Sequence, residues 1–202
     1  MIESETRLSW RSELLQRIAD LDVQQALFPK SEPRIDELVQ QLESVNPISK
    51  PLSVQHQADL SGNWQLVYAS RGTVVTRPLS SVADVWGGIK IIGVWQKLVT
   101  GDNRQISASN GAEFELPLLG NWQLWADGVW RWGEDEQEAK VSFHSFAVEA
   151  IKPFGVSVNL PPLKIPVLEF LRKEAVWITS YLDEEIRLGR GATGNLFVFR
   201  RQ

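Results

Sequence analysis

Ser61-Gly62-Asn63-Trp64-Gln65-Leu66-Val67-Tyr68 is the stretch at which the periodicity of the chain changes. Trp64, Leu66 and Tyr68 alternate with Gln65 and Val67, the period-two pattern of a strand with a buried face. Upstream, apolar residues recur every three or four positions: Leu14, Leu15, Ile18 and Leu21 within 8–27, then Ile35, Leu38, Val39, Leu42 and Val45 after Pro33. Two amphipathic helices are predicted there, the second capped by Ser31 or Glu32 and stopped at Asn46-Pro47. Residues 47–58 (PISKPLSVQHQA) have no helical period and read as a linker or strap.

Downstream the two-residue period persists, most clearly where Val176 and Ile178 alternate with Trp177, Thr179 and Tyr181. Strands are expected at 62–70, 72–77, 89–99, 104–109, 112–118, 121–132, 138–150, 175–182, 185–190 and 195–201, separated by turn residues. With almost no helical pattern between them, the chain is expected to be mainly β, α+β overall: an antiparallel up-and-down barrel over 59–202, preceded by a helical segment and linker over 1–58. Regular alternation from Gly62 would put Trp64 and Tyr68 on one inward face, with Trp177 and Tyr181 lining the same space.

The 202 residues are 43% hydrophobic and 23% charged, which excludes disordered and fibrous classes. Lys and Arg number 21 against 25 Asp and Glu, giving net charge −4, so no basic field is expected and no nucleic-acid partner. The absence of Cys removes disulfides and thiolate chemistry, and with only two His no metal site and no cofactor are expected. No stretch approaches the ~18 apolar residues of a spanning helix, so membrane association is expected to be peripheral.

Catalytic motifs are missing. Gly189-Arg190-Gly191-Ala192-Thr193-Gly194 fits a dinucleotide pattern but is followed by Asn195-Leu196-Phe197-Val198-Phe199 rather than a helix, so it reads as a glycine-rich hairpin turn. Glu134, Asp135, Glu136 and Glu138 read as a solvated hairpin tip, and His144 as a strand histidine rather than a general base. The outlier is tryptophan, with nine Trp against two Tyr. Trp64, Tyr68, Trp95, Trp122, Trp125, Trp130, Trp132, Trp177, Tyr181 and Phe197 either line a cavity for an apolar ligand or fill the interior. Pro161 to Lys173 sets apolar residues beside Lys164, Arg172 and Lys173, suiting a lipid interface or a cap on the barrel mouth.

Gly62-Asn63-Trp64 resembles the entrance strand of lipocalin barrels, where Gly permits close backbone passage and the indole plugs the closed end. The segment Trp177 to Phe199 (WITSYLDEEIRLGRGATGNLFVF) strongly resembles the closing signature of the fibrillin family, the plastid lipid-associated proteins, departing from it at Ala192. Leu60 to Tyr68 looks like that family's opening strand, and Leu42-Glu43-Ser44-Val45-Asn46-Pro47 like its helix ending. The resemblance covers about residues 8–200, with only strand rhythm matching over 79–170.

What the resemblance implies is a lipocalin-like barrel associated with thylakoids and lipid globules of plastids and cyanobacteria, binding lipids, quinones, carotenoids or other isoprenoids rather than catalysing. A start without a visible transit peptide fits a cyanobacterial protein, thylakoid-associated or cytoplasmic, or a mature plastid form. Among the charges, Asp183 and Arg187 lie four apart across a turn and Arg190 stands between glycines. These three read either as ion pairs locking the last hairpin or as rim contacts to a lipid head group. The rival functions are a coat protein with a filled barrel, its helices docking a protein partner, and an accessory subunit of isoprenoid-quinone metabolism.

Overall fold

The computed structural model describes residues 2–29, 32–70, 88–101, 104–156, 161–165 and 174–202. The expected strand at 72–77 and most of the segment Pro161 to Lys173 lie outside them. Four helices come first among the described residues: α1 (Ile2–Ala19), α2 (Val23–Leu27), α3 (Pro33–Ser44) and α4 (Gln57–Leu60). The single helix expected over 8–27 is two. Asp22 interrupts it with a capping box, its side chain accepting from the Gln25 amide at 2.8 Å while Gln25 Oε1 accepts from the Asp22 amide at 3.2 Å. α3 starts at Pro33 and buries Ile35, Leu38, Val39 and Leu42, the predicted stripe.

The strands are β1 (Gly62–Ala69), β2 (Lys90–Thr100), β3 (Gln105–Leu116), β4 (Gly120–Arg131), β5 (Glu138–Pro153), β6 (Leu163–Ile165), β7 (Ala175–Leu182), β8 (Ile186–Gly191) and β9 (Leu196–Arg201). All pair antiparallel in the order β4-β3-β2-β1-β9-β8-β7-β5-β6, and β4 also pairs with β5. The pairings therefore run round a ring, with β6 appended to β5. The expected pair of strands at 104–109 and 112–118 is the one strand β3, because Ser109-Asn110-Gly111 continues the ladder against both neighbours. Gly111 lies beneath the Trp95 ring, where a Cβ would come 2.3 Å from the indole.

Two hydrophobic clusters share the strands between them. One lies on the face the ring encloses: Trp64, Leu66, Ala69, Val94, Leu98, Ile106, Ala108, Trp130, Leu182 and Phe199, joined at one end by Leu27, Leu52 and Leu60 from the helical segment. The other is sandwiched between the outer face of β1, β7, β8 and β9 and helices α1 and α3, and contains Tyr68, Tyr181, Ile186, Leu188 and Val198 against Leu14, Ile18, Ile35, Leu38 and Leu42.

Two bulges set this division. The β1–β9 register shifts between Leu66 and Tyr68, and the β7–β8 register between Thr179 and Tyr181. One extra residue in a strand reverses which face the following side chains take. The expectation that Trp64 and Tyr68 share a face, and that Tyr181 lines the same space as Trp177, fails for this reason: both tyrosines belong to the helix-covered outer cluster.

The inner face is tight at Gly189, whose Cβ would stand 2.0 Å from Trp177 Cζ2. Gly189→Ala should therefore lower stability by about 1–3 kcal/mol through overpacking, read as a lower urea midpoint with unchanged slope. Gly191, whose Cβ would meet Phe197 at an ordinary 3.7 Å, should tolerate the same change with less than half that loss.

Candidate functional site

The enclosed cluster gathers five of the aromatic residues singled out from sequence, Trp64, Trp130, Trp132, Trp177 and Phe197. Trp177 is central: its ring lies 5.6 Å from Trp130, 5.2 Å from Phe197 and 6.0 Å from Phe199. Trp122 shares the face of Ala126 and Trp130 by the unbroken β3–β4 register, and its indole N–H donates to the Leu119 carbonyl at 3.1 Å. Trp95 does not belong with them. Its neighbours Val94, Gln96 and Leu98 turn inward, so Trp95 lies outside, edge-on to Trp125 at 5.4 Å across Gly111.

The opening motif is tied down at the start of β1. Trp64 Nε1 donates to the Leu60 carbonyl at 2.9 Å, and the Arg201 guanidinium lies 4.1 Å over the Trp64 ring. That guanidinium donates to the carbonyls of Ser61 at 2.9 Å and Asp59, tying α4 to β9. Gly62 has φ +134°, and a Cβ there would meet Arg201 Nη1 at 2.9 Å, so this position requires glycine.

Asp183 and Arg187 do not pair with each other. Arg187 lies on the inner face of β8, fully buried, its Cζ 4.3 Å from the Phe199 ring, 5.1 Å from Trp64, 5.5 Å from Trp130 and 5.9 Å from Trp177. Alternation turns Arg190 outward instead, where Nε and Nη2 reach both oxygens of Glu43 on α3 at 2.7 and 2.8 Å. Asp183, at the β7–β8 turn, accepts from the amides of Glu185 and Ile186, from Tyr181 Oη at 2.6 Å, and from Arg11 of α1 at 2.9 Å. Arg190 and Asp183 thus lock helices to strands, and neither is a free rim charge.

Asn46 is a structural side chain whose role sequence reasoning missed. Its amide sits at the β7 bulge, accepting from the Leu182 amide at 3.2 Å and donating to the Ser180 carbonyl at 3.1 Å. It replaces the ladder partner that the bulge displaces. The resemblance around Asn46-Pro47 marked the position, but only the fold shows what it holds.

His144 is exposed on β5, and the acidic tip meets the strap, with Lys50 Nζ 3.3 Å from Glu136. Among the described residues no three His, Asp or Glu come together as a metal site would require, and no helix is long and apolar enough to cross a membrane. At the other end of the sheet, Leu118, Phe154 and Val156 are strongly exposed at adjoining turns, where the Phe154 amide donates to the Leu119 carbonyl at 3.2 Å.

Burial alone would push the Asp183 carboxyl up, yet the Ile186 amide, the Tyr181 hydroxyl, the Glu185 amide and Arg11 together hold it below its ordinary value. A depressed carboxyl contributes stability above the unfolded pKa and loses it as pH falls through the folded one. The urea midpoint should accordingly fall from about pH 4 downward. Asp183→Asn should lose roughly 3 kcal/mol at neutral pH and flatten that acid limb.

Comparison with known proteins places these features in a family. The family model described as PAP_fibrillin matches residues 9–124. The chain is 25% identical to plastid lipid-associated protein 3, chloroplastic, of Brassica campestris, over 82% of this chain and 53% of that one. It is 26% identical to probable plastid-lipid-associated protein 3, chloroplastic, of Arabidopsis thaliana, over 82% and 50%. With probable plastid-lipid-associated protein 8, chloroplastic, of the same plant, identity is 24% over 95% and 71%. The chain thus spans about half the length of the first two. No solved structure matches it significantly.

Proposed function

From the premise that the chain belongs to the PAP_fibrillin family, we propose that it is a non-enzymatic lipid-associated protein whose ring of strands is a lipocalin-like barrel holding an apolar small molecule. The observation that carries this reading is the state of the inner aromatic wall. Trp177, Phe197 and Phe143 face the enclosed cluster yet stay only partly buried, whereas Trp64 at the start of β1 is fully buried. Aromatic surface left uncovered inside a ring of strands suits a ligand that completes the packing. A lipid, quinone, carotenoid or other isoprenoid supplies the matching surface.

The exposed Leu118, Phe154 and Val156, with Leu163 on β6, are suited to touch a lipid surface, and the chloroplastic relatives favour that of a thylakoid or lipid globule. The helices α1 and α3 brace the ring, and treating 1–58 and 59–202 as distinct units belongs to the same proposal. Mass spectrometry of lipids carried by the protein purified from its source is the direct test, and an empty protein under mild isolation would count against the reading.

Two measurements follow in vitro. An apolar ligand entering beside Trp177 should quench indole fluorescence. Trp177→Ala should then weaken binding by about tenfold or more while the fold persists, since a wall residue loses ligand contacts. A large loss of stability with unchanged wild-type fluorescence would instead indicate a filled interior. In flotation with vesicles of galactolipid and anionic lipid, the double variant Leu118→Ser, Phe154→Ser should stay with the soluble fraction while wild type floats.

A further inference from the structure

Several buried hydrogen-bond donors on the inner face lack an acceptor among the described residues. Among the described residues Arg187 has one polar partner, Gln96 Oε1, which accepts from Nη2 at 2.5 Å. Its Nε and Nη1 are buried without a partner among the described residues, as are the indole N–H groups of Trp130 and Trp177 and the Thr179 hydroxyl. Both indoles belong to rings within 6 Å of the Arg187 Cζ. Gln96 cannot offset the charge, and its own Nε2 is committed to Asn110 Oδ1 at 2.7 Å.

No carboxylate contacts this guanidinium among the described residues, and the charge of Arg201 repels it. Burial and that repulsion lower Arg187 to about 9, leaving it protonated at neutral pH. The four surrounding ring faces stabilise the positive charge but accept nothing from the in-plane N–H groups. A buried cation with unpaired donors is costly unless an anion or acceptor is supplied.

Register fixes the depth. Arg187 pairs with Phe199 and Leu182, one rung from the contact of Trp64 with Arg201, while Gly189 pairs with Phe197 and Thr179 farther along. A ligand reaching Arg187 would lay its tail along Trp177 and Phe197. Resting on the proposed ligand-binding reading, we infer that Arg187 is the receptor for an anionic oxygen head group, carboxylate or phosphate, of an amphipathic lipid bound head-first in the ring. The partly buried indoles then serve the tail, and a neutral hydrocarbon is the poorer ligand.

The test uses the full chain and four probes: cis-parinaric acid, its methyl ester, farnesyl phosphate and farnesol. For wild type, at least one anionic probe should bind about tenfold or more tightly than its neutral counterpart, and which pair separates tells carboxylate from phosphate. Arg187→Met should level that pair while its Tm stays at or above that of unliganded wild type, since a buried unpaired charge is removed. Arg187→Lys should keep a preference for the anion. The wild-type ratios stand even if the Met variant fails to fold.

Equal wild-type affinities within both pairs would overturn the inference and leave the apolar-binding reading intact. Equal affinities with a large Tm loss in Arg187→Met would overturn it in favour of a purely structural arginine. Binding of none of the four probes would overturn both.

Discussion

A strand buried on both faces must assign each side chain to one of two cores, and strict alternation cannot satisfy both along the whole length of β1 and β7. The bulges after Leu66 and after Thr179 resolve this constraint. Before each bulge the aromatic residue, Trp64 or Trp177, goes to the enclosed face, and after it the tyrosine goes to the helices. Everything outside the ring depends on this exchange. Tyr181 reaches Asp183 only because it faces outward, and Asp183 in turn fixes α1 through Arg11.

The polar contacts between helices and ring follow the same geometry. Asn46 occupies the β7 bulge, Glu43 grips Arg190 one helical turn earlier, and Arg11 closes over the β7–β8 turn. Each joins the helical segment, Arg11 from α1, Glu43 from α3 and Asn46 from just past its end, to the strands near the C-terminal hairpin. The apolar stripe of α3 supplies most of the cohesion, since burying Ile35, Leu38, Val39 and Leu42 is worth on the order of 1.5–3 kcal/mol each. The ion pairs and the amide contribute less energy but fix the angle at which the helices lie.

Much of this architecture is legible in the sequence, and its failures share a cause. The α3 stripe and the change of period at Ser61 both rest on local periodicity. The bulges do not, because Val67 and Ser180 are ordinary strand residues and the displaced ladder groups are met by Asn46 from another element. Ser109-Asn110-Gly111 has turn composition, but Gly111 is there to admit the Trp95 ring. Asp183 and Arg187 have the spacing of an ion pair, yet a tight turn followed by alternation sends one outward and the other into the ring. Composition reports a residue's preferences, whereas only the register reports its neighbours.

The pairing of β1 with β9 also governs how the molecule comes together. The contiguous hairpins β2–β3, β3–β4 and β4–β5 close short loops, but Leu66 meets Phe199 only after nearly all the intervening chain has been gathered. Such a closure carries a large entropic cost before it returns any packing, which places the fold among slow, non-local β topologies. Until that closure is made, β1 and the β8–β9 hairpin present open edges, with the indoles of Trp64 and Trp177 uncovered. The interval between synthesis and closure is therefore when this chain is most exposed to self-association.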